Sequence, residues 1–339
     1  MKTIKKSNNL YILYQILNSN NMNENVKVKD LKREYDASFV PTQEYLDSMP
    51  DLQNSEFEGI PIEFVGIQNY QIPLTIKQRD GGTQQVLASV YGEVDCNSDS
   101  KGINMSRLGR SFFKSKDDIF DINNLEKVLR DYKKDLVSLD AHILIEFPYY
   151  LWLPALRSVK DNGEKEGGYQ VYKVIFDANM DKTGEFKKVM HVFFKYQSCC
   201  PCSTALSEYA ALTRGVYGAP HNQRSVAKVS IEFEEMIWIE EVIEICRKAL
   251  VNETMVFCKR QDEMAHAELA GANPQFVEDS IRRLAVELNK DKRIIDWRAV
   301  CSHRESIHNF DCHAVKVKGI SNSIFNHHIS IAEYKELEV

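Results

Sequence analysis

Apolar side chains fall on alternate positions between residues 86 and 94, where Val86, Ala88, Val90 and Val94 are separated by Leu87, Ser89, Tyr91 and Glu93. A period of two marks a strand that buries one face. Val-, Ile- and Tyr-rich runs over 62–79 and 84–95 enclose Asp80-Gly81-Gly82-Thr83, which predicts a hairpin. The period then lengthens. Leu125, Val128, Leu129, Tyr132 and Leu136 recur at three and four, which predicts a helix over about 123–137. Two strands, 169–177 and 186–196, flank a turn at Asp181-Lys182-Thr183-Gly184. The first half reads strand, strand, helix, strand, strand.

The second half follows the same logic. Ala227, Val229, Ile231 and Phe233 alternate with Lys228, Ser230 and Glu232, and Met236, Ile239, Ile243, Cys246 and Leu250 then form a helical stripe. A further helix is expected over 274–289, with Asn273 as N-cap and Pro274 in its first turn. Its stripe is Val277, Ile281, Leu284, Ala285 and Leu288. At about 100° per residue Glu278 sits at the stripe's edge, half-buried, and Asp279 points away. A last strand is expected over 308–317. The simplest architecture is α+β, two modules of antiparallel sheet with helices on one face, at 49–205 and 206–339. Residues 1–48 are Asn- and Lys-rich and weakly patterned, an extension with one helix near 10–17; ordered structure is expected from Pro50-Asp51.

Composition narrows the function. A chain of 339 residues with 43% hydrophobic and 27% charged content is long enough for two ordinary cores. A net charge of −6 argues against nonspecific nucleic-acid or anionic-membrane binding. The N-terminus lacks a continuous apolar run and a cleavage site of the secretory type, and the apolar stretch at 143–156 is broken by Glu146, Pro148 and Pro154. A cytoplasmic protein that spans no membrane is expected. Eight cysteines without regular spacing fit reduced thiols.

Chemistry concentrates in Cys199-Cys200-Pro201-Cys202-Ser203 and Pro220-His221-Asn222-Gln223-Arg224-Ser225. Cys199 and Cys202 form a C-x-x-C, which suits a redox pair or half a structural zinc site. No second C-x-x-C completes four sulfurs, and Pro201 with the polar segment after it reads as a loop rather than a redox helix start. Cys96, Cys246, Cys258, Cys301 and Cys312 read as core cysteines.

Beyond these, the chain resembles GTP cyclohydrolase of type IB, a tunnelling-fold enzyme, over about 50–318. The resemblance rests on Pro50-Asp51-Leu52-Gln53, Val65-Gly66-Ile67, Lys101-Gly102-Ile103-Asn104-Met105-Ser106-Arg107, the Cys200 and His221 segments, Lys259-Arg260-Gln261-Asp262-Glu263, Asn273-Pro274-Gln275-Phe276-Val277-Glu278-Asp279 and Glu305-Ser306-Ile307-His308-Asn309. Each is weak alone; order and spacing make them specific. The resemblance implies a bimodular tunnelling fold whose sheets close into a barrel between subunits, commonly a homotetramer with active sites between chains. It implies one divalent ion per site, Zn2+, Mn2+ or Fe2+, held by Cys200, His221 and Glu263. Thiolate, imidazole and carboxylate are the donors of catalytic sites that keep a position for water. Glu278 would anchor the guanine ring of GTP, since a carboxylate accepts two parallel N–H bonds; otherwise it is a glutamate favoured by the helix dipole. Cys202, Glu305 and His308 match positions of proton transfer or support. Arg107, Arg224 and Lys259, with Lys101 and Arg260, are candidates for the triphosphate.

The implied reaction opens the guanine imidazole ring, releases C8 as formate and recloses to 7,8-dihydroneopterin triphosphate, the first step toward tetrahydrofolate-type pterins. No G-x-x-x-x-G-K-[ST] occurs, so GTP would be read by its base. Three departures from the family pattern stand out: Phe310 where a His is usual, Asn104 where a His is usual, and a longer connection at 210–219. Phe310 moves the acid–base burden to His308 with Cys202 or Glu305, or to His303 or His313. Rival readings are a cyclohydrolase that stops at a cyclic phosphate, a non-catalytic pterin-binding protein of the same fold, and a redox or zinc-knuckle protein.

Overall fold

Long stretches of alternating and β-branched residues give the described part of this protein nine strands in one sheet, ordered β3-β1-β2-β4-β5-β6-β7-β8-β9. The computed structural model describes residues 34–49, 57–115, 117–320 and 323–337. The expected helix near 10–17 and the Pro50-Asp51-Leu52-Gln53 motif lie outside them. The chain divides into two units, Met1–Gly59 with Asp99–Gly102, and Ile60–Ser98 with Ile103–Val339. In the first, α1 (Gln43–Asp47) starts on Thr42, whose hydroxyl accepts the Tyr45 N–H at 3.2 Å.

All nine strands belong to the second unit. β1 (Ile62–Lys77) and β2 (Thr83–Cys96) form the expected hairpin, closed by a Gln78 N–H to Gly82 carbonyl bond of 2.9 Å with Gly81 at φ +88. Gly66 is required where the strands touch: a Cβ there would lie 2.1 Å from the Gly92 carbonyl oxygen. β3 (Ile119–Phe120) runs parallel to β1, and every other pairing is antiparallel. β4 (Ala141–Val159), β5 (Lys165–Met180), β6 (Phe186–Cys199), β7 (Asn222–Phe233), β8 (Ile294–His303) and β9 (Cys312–Val317) complete the sheet. The fold is α+β with a mixed, mainly antiparallel sheet.

Three of these strands escaped the pattern, the two-residue β3 among them. β4 carries Pro148 and Pro154, yet its ladder to β2 ends at Glu146, so both prolines fall where only β5 is bonded and no ladder N–H is missed. β8 is buried on both faces along most of its length, which erases the alternation. With β4 present, 165–180 is the partner of 141–159, and 186–199 pairs with β7 as well as β5.

Helices α2 (Met105–Phe113), α3 (Asn124–Leu136), α5 (Ile239–Leu250) and α7 (Val277–Leu288) bury their stripes in the main core. Leu108 and Phe112, then Leu125, Val128, Leu129 and Tyr132, then Val242, Ile243 and Cys246, then Ile281, Leu284 and Leu288 meet the sheet residues Val174, Phe194, Ala227 and Ala299. The intervening residues Ile175, Phe193, Val226 and Val300 point to the opposite face, where they enclose Leu337 at the end of α8 (Ile331–Glu336). Arg298 locks that segment down through a two-pronged pair with Glu333. α4 (Pro201–Arg214) and α6 (Arg260–Ala272) are helices that apolar periodicity did not reveal. Among the described residues no helix is long and apolar enough to cross a membrane.

Candidate functional site

α4 begins where a loop was expected. Cys200 is its N-cap and Pro201 its first residue, since a proline's missing N–H and fixed φ suit a first turn. The Cys200 N–H donates to the His221 carbonyl at 3.2 Å, so the end of β6 and the approach to β7 hold these two residues side by side. Cys199 is buried against Thr204, whereas Cys202 is exposed on α4. Cys96, Cys246 and Cys301 are core residues as expected, Cys312 is half-buried, and Cys258 is exposed because it lies in the connection before α6.

A cavity of about 450 Å³ opens beside them, walled by Cys200, Gln223, Glu278, His303, Glu305 and Phe310 among others. That is within the size range of small-molecule pockets, about 300–1,000 Å³. Its floor is polar and bonded. Gln223 donates from Nε2 to Ser198 Oγ at 3.0 Å and to Glu305 Oε1 at 3.2 Å, and its Oε1 lies 3.2 Å from His221 Nδ1. Glu305 Oε2 is 3.6 Å from the same ring nitrogen, and both side chains are largely buried. His303 is buried at the end of β8, with Nε2 lying 2.9 Å from Tyr196 Oη and 3.3 Å from Ser280 Oγ. Burial pushes its imidazole down to about 4, so it is neutral at physiological pH.

α7 starts at Val277 rather than 274. Asn273 closes α6 instead of capping α7, and the Phe276 N–H is taken by Asp279 Oδ2 at 3.1 Å. Glu278 therefore sits in the first turn, exposed at the cavity wall rather than half-buried, and the side chain that turns inward is Gln275. Gln275 is 1% exposed; its N–H goes to the Cys199 carbonyl at 2.9 Å and its Nε2 to the Leu250 carbonyl at 3.1 Å. Among the described residues its Oε1 has no hydrogen-bond partner.

The remaining candidates are spread out. Glu263 is exposed in the first turn of α6. The buried carboxylate there is Asp262, which accepts from the backbone of Arg157, Ser158 and Lys259 and from the Ser158 hydroxyl. Burial opposes its charge, and these donors outweigh burial and hold its pKa below the usual range. Lys259 pairs with Glu166 at 2.7 Å. Arg107, on α2, bonds the Asp135 carbonyl of α3 at 3.0 Å. By register and alternation Arg224 faces away from Gln223, on the side of Lys195, whose pKa is lowered by burial and then by Arg224 and Arg304. His308 is exposed and stacks on Phe310, ring centres 4.7 Å apart and 8° from parallel.

Among the described residues no three His, Cys, Asp or Glu side chains are gathered as a metal site. Two of the three expected donors fit one. Cys200 is a half-buried thiol at the N-cap of α4, next to the His221 carbonyl. His221 has Nδ1 engaged, and among the described residues its Nε2 has no hydrogen-bond partner. Glu263 is not brought to them within this chain.

Comparison with known proteins finds relatives along most of the chain. Residues 49–314 match the family described as type I GTP cyclohydrolase folE2. The GTP cyclohydrolase FolE2 of Roseobacter denitrificans is 41% identical over 304 residues, covering 87% of this chain and 81% of its own length. That of Paracoccus denitrificans is 40% identical, covering 85% and 90%. Among solved structures, uricase from Arthrobacter globiformis aligns with a TM-score of 0.48 at 7% identity, over 78% of this chain and 96% of its own.

Proposed function

This chain belongs to the type I GTP cyclohydrolase FolE2 family, an enzyme family of the first step of pterin and folate biosynthesis, and we propose that its reaction takes place at the Cys200–Glu278–Glu305 cavity. GTP and water are converted there to 7,8-dihydroneopterin triphosphate and formate. The observation that carries this reading is one cavity lined both by the end of β6, with the thiol and the Gln223–Glu305 floor, and by the start of α7, with Glu278 and the unsatisfied Gln275. A purine edge needs such acceptors, and ring opening needs water and proton carriers nearby.

In this reading Glu278 accepts N1–H and the 2-amino group of guanine, which fixes C8 toward the Cys200 side. Glu305 holds or moves a proton, with Cys202 and His308 as further carriers reached from the exposed rim. Phe310 packs flat on His308 and excludes water from one side of the ring. The triphosphate needs basic side chains, and the candidates are Arg224, grouped with Lys195 and Arg304 on the opposite side of the strand from Gln223, together with Arg107 and Lys259, none of which lines this cavity within one chain. Cys200 and His221 would hold a divalent ion, Zn2+, Mn2+ or Fe2+, with Glu263 as third donor. Such an ion supplies a water of lowered pKa at neutral pH.

Self-association fits the same picture. α4 has no buried residue and exposes Leu206, Tyr209 and Leu212 beside the cavity's Cys200, a surface suited to a second copy. A homotetramer of tunnelling-fold modules with sites between subunits is proposed on that basis.

Glu278→Gln tests the base-reading role. An amide presents a donor to one of the guanine N–H groups, a loss of about 1.5–3 kcal/mol, or roughly ten- to hundredfold in kcat/KM. The fold and bound metal should be unchanged. Kinetics within threefold of wild type would remove Glu278 from the site.

A further inference from the structure

Gln223 is 7% exposed and spends both halves of its amide inside the cavity floor. Two acceptors, Ser198 Oγ at 3.0 Å and Glu305 Oε1 at 3.2 Å, lie against Nε2. A carboxylate oxygen only accepts, so the atom facing Glu305 must be the nitrogen, and the flipped amide is ruled out. Ser198 is itself fixed by Ser225, their hydroxyl oxygens 2.8 Å apart. Oε1 is thereby aimed at His221 Nδ1, 3.2 Å away. A carbonyl oxygen cannot donate, so a neutral His221 must carry its hydrogen on Nδ1 and keep the lone pair on Nε2.

We propose that Gln223 is a positioning residue that fixes His221 as the Nδ1–H tautomer and holds Glu305 beside it, so that Nε2 is presented as a ready ligand for a divalent cation. The proposal deepens the reading of the Cys200–His221 pair and rests on it for the identity of the ligand. Glu305 Oε2, at 3.6 Å, is too far to do this by itself. Gln223 keeps the carboxylate bonded and the ring bonded at once, through one amide. Partners of this kind behind a metal-binding histidine are typically worth about 10- to 100-fold in metal affinity.

The test begins on the unaltered, metal-free protein. In mildly alkaline buffer, imidazole nitrogen-15 spectra of His221, assigned with His221→Gln, should show Nδ1 bearing the hydrogen and Nε2 pyridine-like. The opposite tautomer overturns the proposal. Zinc affinity, measured by competition with a chelator, should then fall about 10- to 100-fold in Gln223→Met. Gln223→Glu, which keeps an acceptor for Nδ1–H, should recover it to within about tenfold of wild type while kcat stays low, since the new carboxylate repels Glu305. Equal losses in both variants, or no loss in Gln223→Met, overturn the proposal. If the wild type binds no zinc, the ligand assignment of His221 fails, and the tautomer still decides the role of Gln223.

Discussion

Phe310 stands where the resemblance leads one to expect a histidine, and its position gives that difference a physical meaning. A ring lying 4.7 Å from His308 and parallel to it cannot exchange a proton, but it confines the imidazole and lines the cavity. His308 then remains the imidazole of the Glu305–Phe310 turn. His303, which the sequence offered as a substitute, is buried, neutral and already bonded to Tyr196 and Ser280. His308→Ala should therefore stop formate release with the bound metal retained, while Phe310→His should keep activity within about tenfold, the scale of a lost packing contact rather than a lost acid. Normal turnover by His308→Ala would move the proton path to Cys202 or His313. Gln223 was visible in the sequence only as part of a motif. Its role depends on three bonds to Ser198, Glu305 and His221, residues up to 82 positions away, which no local pattern encodes.

At the scale of elements, periodicity was legible in several places where one face is buried and the other is not, although it did not reveal α2 or the first half of β4, which also bury one face. The hairpin of β1 and β2 and the stripes of α3, α5 and α7 follow that rule. β8, buried on both faces, and α4, buried on neither, have no period to read. Cross-strand chemistry is equally silent in sequence. On the sheet face opposite the main core Glu93, His142, Asp177, His191 and Ser230 form a bonded row from β2 to β7, with His142 2.8 Å from Glu93 and 2.9 Å from Asp177. Burial by itself would lower His142, but the bonds and charges of Asp177 and Glu93 outweigh it and raise its pKa to about 9. The folded pKa exceeds the unfolded one, so this contribution is complete below about pH 6.5 and is lost as pH rises through about 9. Melting temperature should decline across that interval, and His142→Gln should flatten the decline. An unchanged slope in the variant would show that the row is not linked to stability in this way.

For the whole molecule, the candidate site could be named in the sequence as residue types but not as a set of neighbours. Cys200, His221, Glu278 and Glu305 lie in two regions of one unit around a common cavity or its floor, whereas Glu263, Arg107 and Lys259 stand apart from it within the chain. Assembly would supply what one chain does not, and α4 is the element with unspent apolar surface. Leu212, 87% exposed, is its most prominent apolar residue. Leu212→Glu should shift sedimentation toward a smaller species and lower activity in parallel. A monomeric wild type, or a variant with unchanged mass, would separate α4 from assembly. The measurement closest to the central claim is simpler: incubate the full-length protein with GTP and Zn2+, Mn2+ or Fe2+, and quantify formate together with the pterin product. The expected result is one formate per GTP consumed, with 7,8-dihydroneopterin carrying an intact triphosphate. A cyclic phosphate product, or no formate with any of the three metals, would contradict it.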